Sequence, residues 1–295
     1  MSTVVNPSSR IYAFPVLAVL IWSVNTIVNK LAAGRIDPAA ISFYRWAVAL
    51  CLLTPVMLPA VWRNRAVIRP LIGKLMVLGL LGMVAYQSLA YFAAHATSAT
   101  NMGLIAALIP LLTQLQGRLI AKDKLTATTL AGAAVSLSGL VWLLSSGDPV
   151  KLLAGEFGRG DALMLLASLS YGTYSVLLRK WALPLPVWQS LYMQIFFSVL
   201  MLLPGYLHAA PSPLNAGNIP LILFAGIFAS TIAPFLWMRG VAQLGAGRTA
   251  LFMNLLPVFT VIIAVSMLGE AVHPYHLVGG LLVLGGVWLG QVKRG

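Results

Sequence analysis

The chain has 295 residues, 60% of them hydrophobic and only 8% charged. A soluble domain carries roughly 25% charged residues, so a water-facing globule is excluded. The net charge of +13 does not indicate nucleic acid, because the basic residues stand singly or in short clusters between apolar runs, with no basic helix or aromatic-basic stripe.

About 20 mostly apolar residues cross the ~30 Å hydrocarbon core of a bilayer. Only Arg10 precedes the first apolar run and no small-residue cleavage site follows it, so a retained helix over 11–32 is expected, not a removable signal peptide. On it Trp22, Asn25 and Asn29 follow i, i+3, i+7 spacing and share one face. Arg35-Ile36-Asp37-Pro38 marks a break before a span over 38–60, which holds Arg45 and the only cysteine, Cys51. A lone cysteine excludes an intrachain disulfide and a cysteine-clustered metal site, and Cys51 reads as a small buried packing residue. The span over 72–94 carries Tyr86, Gln87 and Tyr91. The next, over 97–120, contains Pro110, which removes a backbone hydrogen bond and is expected to kink it. Gly132 and Gly139 on the span over 125–145 read as close helix packing. After a linker over 146–159 come spans over 160–181, with Tyr171 and Tyr174, and over 185–207. The last three cover 219–240, with Ser230, Thr231 and Trp237, then 246–269, with Asn254 and Pro257, then 274–292, with Gly279 and Gly286.

Ten spans put both termini on one side, and the basic residues say which. Fourteen Lys and Arg fall on the side of the N-terminus, and only Lys30, Arg35, Lys151 and Arg159 on the other, with Arg45 inside a span. Both termini are therefore expected in the cytoplasm.

The chain also resembles itself. At an offset of 147 residues Ala99, Leu108, Pro110 and Thr113 meet Ala246, Leu255, Pro257 and Thr260, Gly132 and Gly139 meet Gly279 and Gly286, and Asp123 meets Glu270. Earlier in each half the offset is 149, and Ala18, Trp22, Lys30 and Pro55 meet Ala167, Tyr171, Arg179 and Pro204. Five spans is an odd number, so the second copy enters the membrane upside down. The expected fold is therefore all-α integral membrane: ten transmembrane helices as two inverted five-helix repeats, 1–146 and 147–295, around a central cavity. Inverted repeats of this kind recur in secondary transporters.

The stretch from Tyr91 to Trp142, its copy from Leu236 to Trp288, and Phe43-Tyr44-Arg45-Trp46 together resemble the EamA family of the drug/metabolite transporter superfamily, with the YddG-like amino-acid exporters as the branch indicated. The resemblance covers essentially the whole chain and departs at Asp123, where the family often has Glu. It implies ten helices in two inverted repeats, and export of small metabolites, often amino acids, from the bacterial cytoplasm across the inner membrane.

Polar side chains are costly in a bilayer, so those within spans are expected to face protein or a water-filled cavity. The faces carrying Trp22/Asn25 and Tyr171/Tyr174 occupy repeat-equivalent positions and would bracket that cavity. Tyr86, Gln87, Tyr91, Thr231, Trp237 and Asn254 are expected to complete its lining, with Pro110 and Pro257 as kinks or gating points. For Arg45 a structural role is favoured, capping carbonyls or pairing near Asp37, with a substrate carboxylate as the rival. All six acidic residues and all four histidines lie at span ends or in loops, and no helix-1 glutamate is present, so facilitated movement is expected rather than proton coupling. No protease constellation and no P-loop occurs, so neither an enzyme nor a primary pump is expected, and no metal or cofactor. The expected partners are the lipid bilayer and a small solute, a neutral or aromatic amino acid first, bound to a monomer. Drugs, lipid-like solutes, other metabolites and proton antiport remain the alternatives.

Overall fold

A computed structural model describes residues 10–32, 35–94, 96–97, 99–106, 108–123, 126–150, 158–268 and 273–292. In chain order the helices are α1 (Arg10–Ala32), α2 (Pro38–Arg63), α3 (Arg65–Ala93), α4 (Ala99–Ala106), α5 (Ile109–Gln116) and α6 (Ala127–Leu144). They continue as α7 (Arg159–Trp181), α8 (Val187–Leu207), α9 (Ile219–Leu244), α10 (Ala246–Leu251), α11 (Leu255–Leu268) and α12 (Pro274–Gln291). No strand occurs among the described residues. Seven of these helices, α1, α2, α3, α6, α7, α8 and α9, are long and apolar enough to cross a membrane. The outer face of the bundle exposes large apolar side chains such as Leu17, Leu52, Leu119, Leu166, Leu281 and Trp288, a surface hydrocarbon solvates and water does not. Cys51 lies exposed on that surface of α2, beside Leu52, so its expected burial does not hold.

Local chemistry sets the helix ends. The Asp37 carboxylate accepts from the Ala39 and Ala40 amides at 2.8 and 3.4 Å, and Pro38 opens α2, where a missing N–H is harmless. Ala210 also donates to Asp37, at 3.4 Å, which ties the start of α2 to the break after α8. At α7 Asp161 accepts from the Gly158 amide at 2.8 Å and the Thr97 hydroxyl at 2.5 Å. Helix α3 begins at Arg65, not near 72, because the chain turns only at Asn64.

Four interruptions shape the centre. The predicted kinks at Pro110 and Pro257 are helix boundaries: α4 ends at Ala106 and α5 starts at Ile109, while a 3-10 turn over Phe252–Asn254 separates α10 from α11. Each proline sits in the first turn of the following helix. The other two are π-helical stretches, Leu80–Ala85 inside α3 and Ala225–Ile232 inside α9. A π stretch breaks the ordinary ladder, so its carbonyls are open to other donors. The Trp22 indole on α1 donates to the Ala229 carbonyl at 3.1 Å, and the Ser170 hydroxyl on α7 donates to the Leu81 carbonyl at 2.9 Å.

Helices α6 and α12 approach most closely at four glycines, flanked by Ser136, Leu143 and Leu282. A Cβ on Gly132 would lie 2.5 Å from the Gly286 carbonyl oxygen, and one on Gly139 would lie 2.8 Å from that of Gly279. Numbers rise along α6 as they fall along α12, so the pair is antiparallel. Only glycine allows this approach.

Candidate functional site

Helices α1, α2, α3, α7 and α9 surround a cavity of about 330 Å³. That lies near the lower end of the ~300–1,000 Å³ typical of small-molecule sites. Its lining runs from Trp22, Tyr171 and Trp237 at the middle of their helices to Asn29, Arg45 and Tyr91, near the end of the bundle where α1 stops and α2 starts.

The middle is aromatic. Tyr171 is the hub, with ring centroids 4.8 Å from Tyr86, 5.7 Å from Tyr174, 5.7 Å from Trp237 and 6.3 Å from Trp22. Trp22 and Trp237 stand 5.4 Å apart. These separations favour tilted and edge contacts, which give a firm apolar wall. Gly82 makes room for it: a Cβ there would come 2.7 Å from the Tyr174 ring. Trp22 is oriented by its bond to the π carbonyl of Ala229, and Trp237 by donation to the Ser175 hydroxyl at 3.5 Å.

Polar groups gather toward the other end of the cavity. Asn25 donates to the Asn29 amide oxygen at 3.4 Å, and Gln87 donates to the Tyr91 hydroxyl at 3.2 Å. Arg45 is 3% exposed, donates from Nε to the Ser230 hydroxyl at 2.6 Å, and lies 5.6 Å from the Trp46 ring centroid. None of the described acidic residues lines the cavity.

Of the sequence-predicted lining, Trp22, Asn25, Tyr86, Gln87, Tyr91, Tyr171, Tyr174 and Trp237 stand together on the cavity wall. Thr231 and Asn254 do not. Thr231 donates to the Gly226 carbonyl of its own π stretch at 2.9 Å, and Asn254 donates to the Ser136 hydroxyl on α6 at 2.6 Å. Arg45 does not pair near Asp37, whose carboxylate is occupied by backbone amides, and it lines the cavity instead. Pro110 and Pro257 stand outside the lining, at the helix boundaries described above. Sequence reasoning missed Thr26, Trp46, Gly82, Met83, Ala90, Met102, Ala229, Pro234, Met253 and Leu256. Thr26 and Ala90 lie one turn from Trp22 and Tyr86 and could have been found by spacing. The methionines carry no pattern.

A bundle of apolar helices around an aromatic cavity defines a multi-pass membrane protein with a central cavity. The chain belongs to the EamA-like transporter family, whose profile matches residues 9–145 and again 158–290. It is 25% identical to an uncharacterized transporter, YyaM, of Bacillus subtilis, over 88% of this chain and 86% of that one. It is 26% identical to a probable terminal-alkyne amino-acid exporter of Streptantibioticus cattleyicolor, over 93% and 91%. A probable biotin transporter of Pseudomonas aeruginosa is 24% identical over 93% and 96%. A protein of known crystal structure superposes with a TM-score of 0.79 at 20% identity over 95% of this chain and 96% of that one, a likeness of fold. The protein is thus a membrane transporter of this family.

Proposed function

We propose that the chain is a ten-span secondary transporter of the bacterial inner membrane, with both termini cytoplasmic. In this reading it exports small metabolites, neutral or aromatic amino acids first, by alternating access and without ion coupling. Helices α4 with α5, α10 with α11, and α12 then supply the spans beyond the seven. The two halves are 1–146 and 147–295, inverted relative to each other. The double family match supports this, as does the glycine seam: Gly132 meets Gly286 and Gly139 meets Gly279, each glycine facing the repeat image of the other. A twofold axis in the membrane plane produces such reciprocal, antiparallel contacts.

The observation that carries the substrate reading is the cavity wall, a cage of aromatic rings beside amides and one arginine, with no acidic residue of the described set. It suits a solute with an apolar body and a polar end better than a simple cation. The relative named as a probable terminal-alkyne amino-acid exporter supports the same class. Met83, Met102 and Met253 in the wall favour some tolerance of shape, which is what a drug or lipid-like cargo would use.

Uptake of labelled neutral amino acids into proteoliposomes, with and without an imposed pH gradient, tests the reading. Saturable uptake that ignores the gradient is expected. Accumulation only with the gradient would replace the uncoupled mechanism by proton antiport, and no uptake by folded protein would move the cargo to the drug or lipid-like class.

A further inference from the structure

Among the described residues of the cavity wall Arg45 is the one permanent charge, and its described neighbours are neutral. Its Nε is held by Ser230, its guanidinium lies beside the Trp46 ring, and the Tyr91 hydroxyl faces it. A buried cation needs an opposite charge or strong acceptors to offset its lost hydration. The described residues of the lining offer no carboxylate, and Asp37 is engaged by amides elsewhere. The Nε bond also fixes the plane of the guanidinium, a planar fork suited to two parallel bonds with one carboxylate. Ser230 reaches it because the π stretch of α9 turns residue 230, not 231, toward α2. At the position that the repeat offset assigns to Arg45, Gln194 is fully buried and donates to Ser190 on its own helix, so this charge has no counterpart in the second half.

A complementary group stands on α1. Asn25 is 5% exposed and lines the cavity, and its Oδ1 is buried without a hydrogen-bond partner. The Asn25 and Asn29 amides share one hydrogen bond, which leaves one carbonyl oxygen unpaired in either orientation of the pair. An unpaired acceptor beside tryptophan and tyrosine faces suits an ammonium group.

We infer that Arg45, oriented by Ser230, anchors the carboxylate of the solute, and that the Asn25 amide oxygen accepts from its ammonium group, so the site selects zwitterionic amino acids with a bulky apolar side chain. This rests on the transport reading of the same cavity and adds to it which pole of the solute meets which residue.

Binding to the purified full chain in nanodiscs, read by intrinsic tryptophan fluorescence, would compare phenylalanine, phenylalaninamide, phenethylamine and 3-phenylpropanoate. Losing the carboxylate or the ammonium should each weaken binding about tenfold or more. Arg45→Gln should erase the preference for phenylalanine over its amide, Arg45→Lys should restore only part of it, and Asn25→Leu should weaken phenylalanine but not 3-phenylpropanoate. If Arg45→Gln does not fold, Ser230→Ala is the milder test and should shrink the same preference. Equal affinity for phenylalanine and its amide in the unaltered protein, or a preference that survives Arg45→Gln, overturns the inference while amino-acid uptake still stands. Binding of none of the four, with no amino acid taken up, overturns the transport reading and this inference together.

Discussion

The two family-matched segments meet in two contrasting ways. Between α6 and α12 they approach backbone to backbone at Gly132, Gly139, Gly279 and Gly286, with Ser136, Leu143 and Leu282 packed close on either side. Around the cavity they meet through large rings and through side chains that donate to π carbonyls, Trp22 to Ala229 and Ser170 to Leu81. Close-packed backbones have one arrangement, whereas rings and single hydrogen bonds have several of similar energy. In the alternating-access reading proposed above, relative motion of the segments therefore belongs at the cavity, with the glycine seam as the place where they stay together.

The largest test breaks the seam. Gly132→Leu would force two backbones apart at a point where even a Cβ would lie 2.5 Å from the Gly286 carbonyl oxygen, and should cost about 3 kcal/mol or more. It is expected to abolish monodisperse protein on size exclusion, and a wild-type melting curve would show that the seam is not fixed. Trp22→Phe keeps a ring but leaves the Ala229 carbonyl without its donor, at a cost of about 1–2 kcal/mol in thermal denaturation. Its transport rate should change more than its stability. At the end of the bundle away from Arg45, Arg179 donates to the Ala242 carbonyl at 2.8 Å and Lys180 to the Ile120 carbonyl at 2.7 Å. Both are exposed, so replacing both by Ala should alter stability by only about 0.5 kcal/mol. The same change should speed maleimide labelling of a Ser175→Cys probe, which lies beneath Trp237. Unchanged labelling would mean these two bonds do not keep that end closed. The smallest expected effect is at Cys51, exposed on α2, where Cys51→Ser should shift stability by less than about 0.5 kcal/mol and serves as the background for the probe.

The helices were legible because a hydrocarbon solvent demands long apolar runs, and Pro, Gly and charged residues punctuate them. The aromatic faces of α1 and α7 were legible too, since Trp22 with Asn25 and Tyr171 with Tyr174 lie on uninterrupted α-helix, where i, i+3 spacing holds. Thr231 and Asn254 were misplaced for the converse reason. One sits in a π stretch and the other in a 3-10 turn, and each changes the rotation per residue that spacing arguments assume. The same π stretch hid the Arg45–Ser230 contact, which joins residues 185 apart in sequence. Met102 reaches the wall from the short helix α4, and Met253 from the 3-10 turn before Pro257, where the helical period is lost.

If the inferred seat holds the cargo, a wall with one fixed cation and no acidic residue of the described set also bears on how that cargo meets the membrane voltage. A zwitterion seated between Arg45 and Asn25 carries no net charge, so its passage does no electrical work. A monoanion in the same seat would be worth about 2.3 kcal/mol for every 100 mV. A cell interior held negative would then expel the anion and leave the neutral amino acid to follow its own concentration alone.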